Sequence, residues 1–232
     1  MKNRKSNLVF AFSAMLVLGA LGRSFAQSDY KLDTFDEISI TGNIEVILKK
    51  STEEKAIVEV FGIPEDKLNI GVRGQVLKLS LLNSIFYKDE KIKVTVYYKT
   101  LRAIRAHAGA DVEATEALEA DALEIRASSG AEVLLDIKAN KLEASASEGA
   151  ILQLRGEVEN QKASASTGGQ YKALDLNCKN TYVRASTGGE AKVVVSESLD
   201  ANATLGGSIE YKGNPDERNR RTALGGDVRK IQ

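Results

Sequence analysis

Through the second half of the chain, apolar and polar residues alternate with period two, and a recurring glycine punctuates the alternation. Before the glycine stand Leu123, Ile125 and Ala127, then Leu142, Ala144 and Ala146, and later Leu199, Ala201 and Ala203, with Glu124, Arg126, Glu143 and Ser145 among the polar residues between them. After it, Val133 and Leu135, Leu152 and Leu154, Tyr171 and Ala173, and Ile209 and Tyr211 continue the pattern. Period two on both sides of a fixed point predicts two short strands joined by a bend, not a helix. The bend carries a phrase that begins as Ala106-His107-Ala108-Gly109 and returns at Gly130, Gly149, Gly168, Gly188, Gly206 and Gly225, with spacings of 21, 19, 19, 20, 18 and 19 residues. A glycine there implies either a positive φ or a corner with no room for a Cβ.

One such unit cannot bury its apolar face, but stacked units place equivalent positions above one another and build a continuous core. The expected fold is therefore all-β, a parallel β-helix or solenoid of about seven rungs of about 19 residues over 101–232, with no proline between Ile70 and Asn214. A right-handed coil is expected from the handedness of parallel crossovers. A leucine-rich repeat has a similar period but needs a denser leucine framework and a helical segment. Residues 27–100 carry β-like runs such as Ile44-Glu45-Val46-Ile47-Leu48 and Ile92-Lys93-Val94-Thr95-Val96-Tyr97 at irregular spacing. They predict a β meander that packs on the first rung and caps its open edge, so that 27–232 forms one continuous unit.

Residues 1–26 change the picture of address and charge. Lys2, Arg4 and Lys5 precede an apolar run from Leu8 to about Leu21 and a small-x-small site at Ser24-Phe25-Ala26, the pattern of a cleaved secretory signal peptide. The run is short for a membrane span, and the absence of a cysteine near the site speaks against a lipid anchor. Without the leader, 28 basic residues face 32 acidic ones, which is no electrostatic footprint for nucleic acid. Cys178 and His107 are the only residues of their types, so neither a disulfide nor a Cys/His zinc site is expected. Cys178 reads as a small buried residue.

The glycine-punctuated rungs, the opening Phe35-Asp36-Glu37-Ile38-Ser39-Ile40-Thr41-Gly42 and the closing Tyr211-Lys212-Gly213-Asn214-Pro215 resemble the putative auto-transporter adhesin, head GIN domain family over roughly residues 33–229. The resemblance implies an exported bacterial β-helical protein of Bacteroidetes type, at the cell surface or in the periplasm. Once the solenoid is counted, no segment is left for a membrane barrel, so self-export is not expected.

If the rungs stack, each outward column can be read as a ladder. Two residues before the glycine run His107, Ser128, Ser147, Ser166, Ser186 and Thr204, a row suited to hydrogen-bonding a glycan or to bonding itself. Four residues before it, Arg105, Arg126 and Arg184 could meet acidic groups, and Tyr182 on the outward phase could stack on a sugar. Two residues after it, Asp111, Glu132, Glu190 and Asp227 are interrupted by Ile151, Gln170 and Ser208, which argues against a calcium ladder. No catalytic, metal or cofactor site is expected. The function expected is non-catalytic binding of a glycan or protein by a rigid surface. The alternatives are a periplasmic interaction module of the envelope and a β-helical polysaccharide-active enzyme.

Overall fold

The computed structural model describes residues 26–61, 67–81 and 91–232; residues 1–25 of the predicted leader lie outside them. Eighteen strands form one continuous sheet among the described residues, with no helix long and apolar enough to cross a membrane. They are β1 (Ala26–Lys31), β2 (Glu37–Thr41), β3 (Ile44–Lys50), β4 (Lys55–Phe61), β5 (Leu68–Arg73), β6 (Val76–Leu81), β7 (Lys91–Tyr98), β8 (Ala103–His107) and β9 (Asp111–Ala114) in the first half. There follow β10 (Leu118–Ser128), β11 (Glu132–Ser147), β12 (Ile151–Ser166), β13 (Gln170–Ser186), β14 (Glu190–Val194), β15 (Ser198–Thr204), β16 (Ser208–Lys212), β17 (Glu217–Ala223) and β18 (Asp227–Lys230).

From β8 onward the pairing is parallel, each turn of chain lying on the one before, which is the solenoid the repeat predicts. Its register aligns the repeated phrases. Ile38, Ile104, Ile125, Ala144, Ala163, Val183 and Ala201 form one buried column, each paired with the next across a rung. Removing such a row from water is the main source of stability in a stack whose single rungs have no core of their own.

The repeated glycine sits in a two-residue turn with φ positive at both central positions. In the fourth copy Thr167 has φ 49° and Gly168 φ 72°, and Gly169 N–H donates to Ser166 O at 2.8 Å. Positive φ at both positions is the type I′ signature that joins twisted strands. A Cβ on Gly168 would meet nothing within 4 Å, so its conformation, not crowding, explains the glycine. The crowded position is the next one: a Cβ on Gly169 would lie 2.3 Å from Ala146 O of the rung below. The turns also bond to one another, as where Gly149 N–H donates to Thr167 O at 3.2 Å and Gly168 N–H to Thr187 O at 3.2 Å.

The N-terminal strands pack on the solenoid and continue it. β2 lies between β6 and β8, and β3 between β7 and β9, all parallel, so β2 and β3 make a rung and β6 and β7 another outside it. The antiparallel strands β5 on β6, β4 on β7 and β1 on β4 then close that end. The irregular spacing of 27–100 follows from this arrangement, because the chain builds the inner rung first and returns to stack the outer one on it.

Inside the core two neighbouring rungs carry polar groups in apolar columns. Tyr171 Oη donates to Gln161 Oε1 at 2.8 Å, and Gln161 Nε2 donates to Thr181 Oγ1 at 2.9 Å, with all three residues buried. Each side chain supplies what the next lacks, so the polar groups are satisfied without water.

Candidate functional site

The outward face of the strands before the turn collects every candidate that the repeat points to. Register places Arg105 beside Arg126, Ser145 beside Ser164, and Ser164 beside Arg184. It likewise places His107 beside Ser128, Ser147 beside Ser166, and Ser166 beside Ser186, with Tyr182 in the next outward column. The hydroxyl row is half-buried, and His107 Nδ1 lies within hydrogen-bond distance of Ser128 Oγ. Two arginines are already engaged. Arg105 pairs with Glu37 and with Glu124 at 3.2 Å, and its hydrogen bond with Glu37 holds it firmly charged; Arg126 pairs with Glu124. Arg184, exposed and without an ion pair among the described residues, and half-buried Tyr182 are the members left open to a ligand. On the face after the turn, Asp111 stacks between Glu45 and Glu132, and its carboxyl is raised by burial and then by Glu113, Glu132 and Glu45. Among the described residues no group of three or more His, Cys, Asp or Glu is placed to hold a metal ion.

A second surface is not among the sequence candidates. On the far side of each rung the alternation slips by one residue, leaving pairs of exposed residues at Asn140-Lys141 and Glu159-Asn160. Asparagines bond up this corner: Asn140 Nδ2 donates to Asp121 Oδ1 at 2.7 Å and Asn180 Nδ2 to Asn160 Oδ1 at 3.1 Å. Beside them runs a groove of 750 Å³. Its floor is a column of small apolar groups, Ala120, Ala139, Val158 and Cys178, each on the next rung. One wall carries Glu119, Lys138, Glu157 and Asn177, the other Asp121, Asn140, Glu159 and Lys179.

Cys178 is 3% exposed, and burial pushes its thiol up despite bonds from its surroundings. Lys179 is drawn to Glu159 at 2.9 Å and Glu119 to Lys50 at 3.6 Å, whereas Lys138 and Glu157 have no ion pair among the described residues. The sequence did hold a signal for the corner: Asn140, Asn160 and Asn180 recur at twenty-residue spacing. The groove itself, whose floor residues keep the ordinary alternation, had none.

The model of the family described as putative auto-transporter adhesin, head GIN domain matches residues 34–215. Comparison with curated proteins finds no match. Among solved structures, a putative adhesin from Bacteroides fragilis superposes with a TM-score of 0.79 at 22% identity, covering 90% of this chain and 98% of that one. A putative adhesin from Parabacteroides merdae gives 0.69 at 20% identity, covering 91% and 98%. A protein from Parabacteroides distasonis described as a putative lipid binding protein gives 0.68 at 19% identity, also covering 91% and 98%. At these identities the likeness is one of fold.

Proposed function

Because the chain belongs to the putative auto-transporter adhesin, head GIN domain family, we propose that it is an exported, non-catalytic binding protein whose groove holds an extended segment of another protein. The observation that carries this reading is the uninterrupted apolar floor from Ala120 to Cys178, crossing four rungs between walls of mixed charge. Such a floor accepts small apolar side chains, and the walls offer both signs of charge and amides to the backbone beside them. Sugar sites depend more on aromatic platforms, and no residue lining the groove is aromatic. A repeating rod supports extended ligands because it repeats the same chemistry about every 4.8 Å. Export is supported by the leader pattern of residues 1–26.

The test compares two double variants of the purified mature protein for binding to immobilised host-matrix proteins and to intact epithelial cells. Lys138→Glu with Glu157→Lys reverses the unpaired charges on one groove wall without touching the core, and Tyr182→Ala with Arg184→Ala strips the opposite candidate face. We expect at least a tenfold loss for the first pair and less than twofold for the second. The reverse order would transfer the function to the hydroxyl and arginine face and to a glycan.

A second reading, the acyl chain of a lipid, is favoured by the same apolar floor. It predicts that a fatty acid displaces the protein ligand, whereas a peptide-binding groove is indifferent to it.

A further inference from the structure

The end of the solenoid away from the N-terminal strands departs from the rest of the stack. β17 pairs with β15 alone among the described strands, so one of its hydrogen-bonding edges is open, and all seven of its residues are exposed. Two inward-facing columns end here in arginine: Leu199 is followed by Arg218 and Ala201 by Arg220. Arg218 and Arg220 have no ion-pair or hydrogen-bond partner among the described residues. Their neighbours are different. Arg221 is tied back to Asp200 at 2.7 Å, and Arg229 to Glu210 at 3.0 Å. Beside this edge the turn ridge exposes Leu205 and Leu224, at 54% and 76%.

We propose that this end rung is a docking edge for an extended acidic polypeptide segment, which adds to β17 as a further strand. A strand hydrogen-bonded to β17 lies about 4.8 Å away, with alternate side chains beside Arg218 and Arg220. Carboxylates at those alternate positions meet two free guanidiniums, the pairing with the strongest charge-assisted hydrogen bonds. The main chain supplies affinity and the arginines choose the partner, as in other strand additions. A second copy docking through the same edge would set arginine against arginine, so the charges that admit an acidic strand also refuse self-association.

The experiment uses the full mature chain and three probes: a labelled peptide Thr-Glu-Val-Glu-Val-Glu-Thr, its counterpart with lysine for glutamate, and a sulfated oligosaccharide. Fluorescence anisotropy reads binding, and amide hydrogen exchange reads where it occurs. The acidic peptide should bind at least tenfold more tightly than the basic one and slow exchange in residues 217–223. Arg218→Glu with Arg220→Glu should reverse that preference, and Arg218→Gln with Arg220→Gln should abolish it if the reversed-charge protein folds poorly. Equal binding of the two peptides overturns the proposal. So does binding of the acidic peptide or the oligosaccharide that leaves the 217–223 amides unprotected, since that reports charge attraction without strand addition.

Discussion

At the residue scale, the turns separate two uses of glycine that a sequence shows as one. Gly168 stands at positive φ with open space around it, and Gly169 stands where the neighbouring rung leaves no room for a Cβ. Gly168→Ala should therefore cost about 1 kcal/mol, the left-handed penalty alone. Gly169→Ala should cost about 3 kcal/mol, because the clash is with backbone that cannot move without separating rungs. Thr167→Asn should stabilise by on the order of 0.5 kcal/mol, since asparagine tolerates the left-handed region better than a β-branched residue. Urea midpoints of the three variants check the order.

Cys178 supplies a second prediction at this scale. Its buried, raised thiol should react with a disulfide reagent at pH 8 at least a hundredfold more slowly than in denaturant, where it is exposed. Rapid native labelling would mean that the groove floor opens.

At the scale of elements, the rungs are held by their columns, and the last ones lean on ion pairs where the apolar columns run out. Glu210 on β16 receives Lys192 from β14 at 3.0 Å and Arg229 from β18 at 3.0 Å, so one carboxylate spans three rungs. The hydrogen bond from Arg229 and then that from Lys192 lower its pKa on folding. A carboxylate depressed on folding stabilises above its unfolded value of about 4.3, and the contribution fades as pH falls through the folded value. Glu210→Gln should thus be less stable than the parent at pH 6, with the gap in urea midpoint closing by pH 3. A gap that persists at pH 3 would show that the side chain acts through packing.

The rungs themselves were legible because the Gly130 to Gly225 phrases and the flanking alternation repeat the same physical demand. The rungs formed by β2 with β3 and by β6 with β7 were not, since their stacking joins residues far apart in sequence, Ile38 to Ile104 and Val94 to Val46. Nor was the groove, whose floor residues Ala139 and Val158 are buried like any other apolar position of the columns and are set apart only by the charged walls that stacking builds beside them. Of the residues read from sequence, Arg105 and Arg126 fell to acidic neighbours whose proximity only stacking reveals.

At the scale of the whole molecule, a rigid stack is capped by antiparallel strands at one end, ends in an open charged edge at the other and carries a groove along its flank. Rigidity matters because an extended ligand can be held only if the rungs keep their register, and Tyr171, Gln161 and Thr181 fix that register within the core. The binding role proposed for the groove requires that the protein be presented where its partners are. The most direct measurement is antibody labelling of an epitope-tagged copy on intact cells, repeated after permeabilising the outer membrane, with a periplasmic protein as control. Labelling of intact cells is expected while the periplasmic control stays dark. Labelling that appears only after permeabilisation would contradict that expectation and place the groove's partner inside the envelope.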